Sequence, residues 1–209
     1  DGFGEVPYTE AIGENSLPSY DSQEVIYKGI LATLENAATS FSTSAPSFTS
    51  GEIIYNGDVA HWIKLTHSLM LRYAMRIVDV DPATADKYIK LAATNLISSN
   101  AENALFTFES SLARANPLFQ NNSPLDGNRD DYAVSGYLVS TLTNMGDPRL
   151  GMFAKAASSG DIVGMPYGLS DNDATVLKPD VSRPNDNVRS ATTPHVIISF
   201  AEVQFLLAE

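Results

Sequence analysis

Residues 58–92 carry two helical patterns separated by only a few residues, and this pair constrains the fold more than any other stretch. Asp58 can cap the first helix, Asp79–Asp81 end it, and Pro82 suits the first position of the second helix. Apolar residues recur at helical spacing in both: Val59, Trp62, Ile63, Leu65, Leu69, Met70, Ala74 and Ile77, then Ala85, Tyr88, Ile89, Ala92 and Leu96. Two helices joined this closely should lie antiparallel.

Three further segments have helical patterns. Asp21 and Glu24 form a capping-box pattern at the start of a helix that runs to about Phe41. Asp130 or Asp131 can cap a helix that Gly146 closes, and a last helix begins near Ile198.

Between these helices, residues 103–108 alternate weakly and predict a short strand, while residues 110–131 and 151–194 read as long loops. We therefore expect a mainly α fold: tetratricopeptide-like helix hairpins (an α-α superhelix) with long irregular loops and at most a short hairpin of strands. A single domain should cover residues 1–209.

The charge of the chain limits its partners. The net charge is −12, whereas binding to nucleic acid or to anionic lipid requires a basic surface.

The absence of cysteine excludes disulfides and thiol nucleophiles. No apolar run is long enough to span a bilayer. The chain begins with Asp1, and its final helical pattern has no terminating residue, so we expect an internal piece of a longer protein.

Arg72 and Arg76 are four residues apart within an apolar helix and therefore share one face. A buried guanidinium needs a carboxylate or several carbonyl groups. We interpret both arginines as members of structural ion pairs, with Glu202 as one candidate partner. Oxyanion or phosphate catalysis is the alternative role.

No pattern of metal-ligating or nucleophilic residues stands out. His61 and His67 are six apart and point to different helix faces, and His195 is isolated. Asp126, Asn128 and Asp130 alternate as calcium ligands do, but the glycine and distant glutamate of such a loop are not in place. A capped polar turn is the favoured interpretation, so we expect no catalytic residues and no cofactor, with calcium as an alternative.

Aromatic residues are candidates for stacking on a sugar. Trp62 lies in an apolar helical row, which favours core packing over ligand contact. Loops on a rigid scaffold more often carry binding residues. The better candidates are therefore the loop aromatics Tyr20, Tyr55, Phe119, Tyr132 and Tyr167.

Several segments in order along the whole chain resemble the SusD/RagB-like family. They are FGEVPYTEA (3–11), WIKLTHSLMLRYAMRI (62–77), DPATADKYIKLA (81–92), NPLF (116–119), NMGDPRL (144–150), VGMPYGLS (163–170) and ISFAEVQFLLAE (198–209). Each match is moderately specific, and their shared order is what makes the resemblance strong.

The resemblance implies a surface lipoprotein of the outer membrane in Bacteroidetes-type bacteria. Such proteins sit over a SusC-like TonB-dependent transporter and capture glycans, or sometimes peptides, on the loops of a tetratricopeptide-like bundle. The lipid-bearing cysteine of the family would lie upstream of Asp1. We therefore expect an oligosaccharide-binding protein without catalysis, located at the cell surface. The alternatives are a helical module that docks a partner protein without a small ligand, and a peptide-binding relative.

No motif in this chain marks the ligand residues of the family. We therefore expect ligand contacts from polar and aromatic loop residues near the matched segments, with hydrogen bonds from Asn, Asp and Arg and stacking from Tyr. These residues are Asn116, Arg129, Asp130, Tyr132, Tyr167 and Asn172.

Overall fold

The computed structural model describes residues 3–123 and 127–209. In the described residues the α-helices are α1 (Gln23–Ser40), α2 (Val59–Arg76), α3 (Pro82–Ala92), α4 (Pro117–Asn121), α5 (Gly136–Asn144), α6 (Leu150–Phe153), α7 (Asp171–Leu177), α8 (Asp186–Arg189) and α9 (Phe200–Ala208). Strands β1 (Ala104–Phe106) and β2 (His195–Ile198) form one two-stranded sheet. The mainly α class is confirmed, and the two strands come from distant parts of the sequence.

The chain divides into two compact units. The helical unit comprises Asp1–Phe106 and Val196–Glu209, and the loop unit comprises Thr107–His195. The single domain expected over residues 1–209 stays a prediction. Across the described ranges, none of the helices has the length and apolar character needed to cross a membrane.

Helix α2 is the centre of the helical unit, because it packs against α1, α3 and α9. Asp58 caps it by accepting hydrogen bonds from the backbone N–H groups of Ala60 and His61. Pro82 opens α3, whose cap is Asp81. The cap Asp58 and the first residue Pro82 were expected from the sequence, because an Asp side chain accepts from the free N–H groups of a first helical turn and Pro has no N–H group to leave unpaired. The sequence did not predict Asp81 as the cap of α3.

Side-chain hydrogen bonds establish the helix directions. Ser68 Oγ accepts from Ile97 N at 3.0 Å, and Lys64 Nζ, one turn earlier in α2, reaches Ser98 Oγ at 3.1 Å. The chain after α3 therefore runs back along α2. Lys28 near the start of α1 lies 3.3 Å from Asp81 after the end of α2, so α1 and α2 are also antiparallel. The expected helix hairpin is present.

The core of the helical unit consists of apolar residues from α1, α2, α3, β2 and α9. Those that are fully or almost fully buried include Leu31, Leu65, Met70, Leu71, Ala74, Ile77, Ala85, Tyr88, Ala92, Ile97, Ile198 and Val203. Trp62 is partly buried against this cluster, as its apolar row predicts. His67 is also buried, with its Nδ1 atom 3.3 Å from the carbonyl oxygen of Ala92.

The two arginines of α2 have different environments. Arg72 donates through Nε and Nη2 to the two carboxylate oxygens of Glu202, at 2.6 and 2.7 Å, and through Nη2 to the Ile197 carbonyl at 2.7 Å. This is the pairing that the sequence suggested. Arg76 lies in the last turn of α2 and is exposed. From the sequence, its guanidinium was interpreted as buried and therefore in need of a partner, and the part of this interpretation that concerns burial is wrong.

Two expected helix caps are wrong. Helix α1 is capped by Ser22, whereas Asp21 accepts hydrogen bonds from the backbone N–H groups of Tyr8 and Thr9. Helix α5 is capped by Ser135, several residues after the predicted Asp130 or Asp131. In both cases a neighbouring serine makes the local cap, which leaves the aspartate free for contacts that are distant in sequence.

Candidate functional site

Three segments of the loop unit lie side by side through backbone hydrogen bonds. Met165 N donates to Val134 O, and Gly136 N donates to Met165 O, both at 2.7 Å. Ser182 N donates to Val163 O at 2.7 Å, and Ser182 Oγ accepts from Val163 N at 2.9 Å. A loop region that is irregular in sequence therefore has a defined hydrogen-bonded frame.

Glycine permits the closest approach in this frame. A Cβ atom added to Gly164 would lie 2.5 Å from the Cα atom of Gly136, closer than real Cβ contacts occur. The two segments can approach to this distance because Gly164 lacks a side chain.

Asp130 connects distant parts of the loop unit. Its Oδ2 atom accepts from Arg183 Nε at 3.0 Å, and its Oδ1 atom accepts from Arg189 Nη1 at 2.5 Å. Arg189 is buried, with 8% of its surface exposed. Arg183 Nη2 also donates to the Lys178 carbonyl at 2.7 Å. One carboxylate thus pairs with two guanidinium groups and holds the turn before α5 against α8 and residue 183.

These segments surround a cavity of about 320 Å³, here called the loop cavity. It is lined by Asp131, Met165, Asp171, Ala174, Thr175, Lys178 and Arg183. Helix α7 supplies one wall, and Ser170 caps this helix by accepting from Asp173 N at 3.2 Å. The volume lies in the range of small-ligand sites, and the lining combines two carboxylates, two cations, a hydroxyl and apolar surface.

Asp131 and Lys178, two of the charged residues that line the loop cavity, take part in ion pairs. Lys178 Nζ donates to the Arg129 carbonyl at 2.6 Å and lies 3.4 Å from Asp131 Oδ1. Arg129 Nη2 lies 2.6 Å from Asp131 Oδ2. Desolvation raises the pKa of Asp131, but hydrogen bonds from Asn121 and Lys178 and nearby positive charges outweigh it and lower the pKa. Asp131 is therefore an anionic hydrogen-bond acceptor at neutral pH.

None of the six expected ligand residues is among the residues that line the loop cavity, although five of them belong to the segments around it. Arg129 and Asp130 make the ion pairs described above, and Asn172 lies in the exposed first turn of α7. Tyr132 and Tyr167 are 50% and 78% exposed, so both rings are accessible. Their contact with a ligand stays a prediction.

Asn116 has a structural role away from these segments. It caps α4 by accepting from Leu118 N at 2.8 Å, and its Nδ2 atom donates to the Thr193 carbonyl at 2.8 Å. Only 7% of it is exposed. Its polar atoms are occupied by the fold, which leaves little capacity for hydroxyl groups of a ligand.

The calcium hypothesis lacks support from Asp130, since that carboxylate already contacts two guanidinium groups. Asn128 has a left-handed backbone with φ of 52°, as expected for a tight polar turn. Asp126 lies outside the described residues. Within residues 3–123 and 127–209, no cluster of three or more His, Asp or Glu side chains could hold a metal ion.

Sequence reasoning named none of the lining residues as ligand contacts: it considered Asp131 only as a helix cap, and it did not single out Met165, Asp171, Ala174, Thr175, Lys178 and Arg183. The segment SDND, residues 170–173, was the available signal, because a serine followed three residues later by an acid marks a helix start. That signal predicts α7. It does not predict which side chains line the cavity, because that depends on how the surrounding segments fold against one another.

The helix hairpin of one unit and the hydrogen-bonded loop segments of the other, with their ligand-sized cavity, define a mainly helical protein with long ordered loops. The particular family follows from comparison. Over residues 1–209 the chain matches the SusD-like family described as "Starch-binding associating with outer membrane", and it belongs to that family.

Solved structures show the same fold. A chitin-binding protein is 31% identical, with 99% of this chain and 46% of that chain covered and a TM-score of 0.77. A SusD homologue from Bacteroides uniformis is 27% identical, with 99% and 43% covered and a TM-score of 0.81. A chitin-binding SusD homologue from Flavobacterium johnsoniae is 24% identical, with 99% and 43% covered and a TM-score of 0.82.

The chain spans less than half the length of each of these three structures. No protein of curated function matches it.

Proposed function

We propose that this chain is part of a cell-surface protein that binds oligosaccharides at the loop cavity. The observation that carries the proposal is a ligand-sized cavity, lined by donors and acceptors, in a chain of the SusD-like family. The proposed role is capture of glycan at the outer membrane and its transfer to a SusC-like TonB-dependent transporter, with a lipid anchor in the whole protein.

The lining suits a neutral sugar. Sugar hydroxyls donate and accept hydrogen bonds, so they can use the Asp171 carboxylate as an acceptor and the third N–H of Lys178 as a donor. Met165 and Ala174 offer apolar surface to the C–H groups of a ring. Tyr132 and Tyr167 follow the lining residues Asp131 and Met165 closely in sequence and are exposed, so we propose them as stacking residues.

Chitin oligosaccharides are the first ligands to test, because the similar structure that is 31% identical is of a chitin-binding protein. An acetamido group adds one N–H donor and one carbonyl acceptor to each sugar unit. Both can be matched by the carboxylates and cations that line the cavity.

Isothermal titration calorimetry with chitotetraose and cellotetraose tests the proposal. The Asp171→Asn variant keeps the shape of the cavity wall and removes a charge, and we expect its affinity to fall about tenfold, as for loss of a charged hydrogen bond. Asp161→Asn is the control, since Asp161 is exposed in the same unit and does not line the loop cavity.

Other outcomes separate the alternatives. If the protein binds neither tetrasaccharide and no member of a wider panel of polysaccharides, the result supports a protein-docking module. If it binds only peptides, the result supports a peptide-binding relative. We also propose that the protein binds without hydrolysis. Release of shorter sugars during incubation with the same oligosaccharides would contradict this.

A further inference from the structure

The connection between α1 and α2 forms a second cavity, in the helical unit, of about 490 Å³. We call it the aromatic cavity. It is lined by Phe41, Pro46, Ser47, Phe48, Glu52, Val59 and Trp62. Three aromatic side chains, a proline and a valine make most of its surface apolar, and one carboxylate provides its charge.

The two polar side chains of the aromatic cavity are used to fold the loop. Glu52 accepts from Ile54 N at 2.6 Å, from Gly57 N at 2.8 Å and from Tyr55 N at 2.9 Å. Ser47 Oγ donates to the Gly57 carbonyl at 2.6 Å. A hydroxyl-rich ligand would find few free hydrogen-bonding groups here, which disfavours a sugar.

Gly57 allows the backbone of Phe48, one of the aromatic lining residues, to approach closely. Its φ of +83° lies in the left-handed region, and an added Cβ would lie 2.1 Å from the carbonyl oxygen of Phe48. Phe48 itself is 73% exposed. The backbone of Phe48 therefore lies close to Gly57, while its ring remains accessible.

The charge of Glu52 persists at neutral pH. Desolvation raises the pKa of Glu52, but hydrogen bonds from the backbone of Gly57, Ile54 and Tyr55 and from the Trp62 side chain outweigh it and lower the pKa. The carboxylate therefore adds a fixed negative charge beside the aromatic rings. The net charge of −12 for the whole chain also attracts a cationic ligand.

We propose that the aromatic cavity is a binding site for a quaternary ammonium group, separate from the loop cavity. Aromatic faces attract cations through the negative potential above the ring, and a carboxylate strengthens this attraction. A quaternary ammonium group needs no hydrogen bond. It can therefore bind although the polar atoms of Glu52 and Ser47 already make hydrogen bonds within the loop. A ligand of the choline class combines the required charge, apolar methyl groups and small size.

Trp62 gives a direct measurement, because it is the only tryptophan in the chain and lines this cavity. Choline chloride should change its fluorescence in a saturable manner, whereas sodium chloride at equal concentration should not. The neutral isostere 3,3-dimethylbutan-1-ol should bind at least several-fold more weakly. Equal affinity for choline and the neutral isostere, or no saturable change with any choline-bearing sample, would overturn the proposal.

Substitution of Phe48 separates a cation–π site from a merely apolar one. Phe48→Leu keeps apolar volume and removes the π face, and we expect choline affinity to fall about fivefold. Phe3→Leu is the control, since Phe3 is 92% exposed and does not line the cavity. Unchanged choline affinity in Phe48→Leu would contradict the proposed ring contact.

The same chemical group occurs free and on lipids. Vesicles of phosphatidylcholine and of phosphatidylglycerol therefore form a second arm of the titration. A response to free choline assigns the site to a soluble ligand, and a response to phosphatidylcholine vesicles alone assigns it to a lipid headgroup. Both outcomes support a quaternary ammonium site, whereas an equal response to both vesicle types contradicts it.

Discussion

Arg72 and Glu202 form a bidentate ion pair between residues that are 130 positions apart in the sequence, with N–O distances of 2.6 and 2.7 Å. The side chains are 19% and 38% exposed, so the pair is partly shielded from water. The additional bond from Arg72 to the Ile197 carbonyl joins α2 to the segment that enters α9. One side chain therefore secures the last helix against the central helix.

Glu202→Gln should lower the free energy of unfolding by about 1–2 kcal/mol, because it removes a charged acceptor from a partly buried guanidinium. For a chain of this size the melting temperature should fall by roughly 3–6 °C. Glu24→Gln is the control, since Glu24 pairs with Lys28 on the surface of α1 and should change stability by less than about 0.5 kcal/mol. Equal melting temperatures for Glu202→Gln and the parent would contradict a stabilising role.

Asp130→Asn should destabilise the loop unit by about 3 kcal/mol, because Arg189 is buried and would lose its charge partner. Urea unfolding followed by circular dichroism measures this change. Asp161→Asn, exposed in the same unit, should leave the urea midpoint unchanged. A midpoint for Asp130→Asn equal to that of the control would show that the Asp130 cluster does not stabilise the unit.

Gly164→Ala should destabilise the protein by about 1–3 kcal/mol, because the added Cβ would overlap the backbone of Gly136. Gly151→Ala is a matched control: Gly151 lies in α6 with no atom within 4 Å of an added Cβ. That substitution should be neutral or slightly stabilising. Thermal unfolding of both variants tests the close approach, and equal melting temperatures would argue against it.

Glu102 should make stability depend on pH. Desolvation raises its pKa, but hydrogen bonds from Lys64 and Ser98 outweigh it and lower the pKa from 4.5 to about 2. The folded pKa is below the unfolded value, so this stabilisation is present above about pH 5 and lost as the pH falls towards 2. Its size is about 2 kcal/mol, since the pair is largely shielded.

Urea unfolding at pH 7 and pH 3 measures the contribution of Glu102. The loss of stability between these pH values should be smaller in Glu102→Gln than in the parent, because the variant has no carboxyl group to protonate. The same loss in both proteins would assign the acid sensitivity to other carboxylates.

Tyr167→Ala should weaken oligosaccharide binding about fivefold to tenfold if the exposed ring stacks on a sugar. Tyr20→Ala is a suitable control, because Tyr20 is 71% exposed but belongs to the helical unit. Calorimetry with the oligosaccharide that binds best to the parent gives both affinities. Unaltered affinity in Tyr167→Ala would remove this residue from the site while leaving the loop cavity to be tested through Asp171.

The sequence predicted helix positions best where the periodic pattern was long. In α2 and α3, the predicted cap Asp58 and the predicted first residue Pro82 are local features, and each acts within a few residues of its own position. The prediction failed at Asp21 and Asp130, because a carboxylate can cap a helix locally or bind distant groups. Only the fold decides between these two uses.

The sequence by itself determined the mainly helical class, the hairpin of α2 and α3 and, through ordered motifs, the resemblance to a family. These properties depend on local periodicity and capping, which neighbouring residues encode. Only the tertiary structure decided which side chains line the loop cavity and which occupy ion pairs. Lys178 and Arg183 meet Asp131 and Asp171 there because hydrogen bonds between segments distant in sequence bring them together, and no local pattern records those bonds.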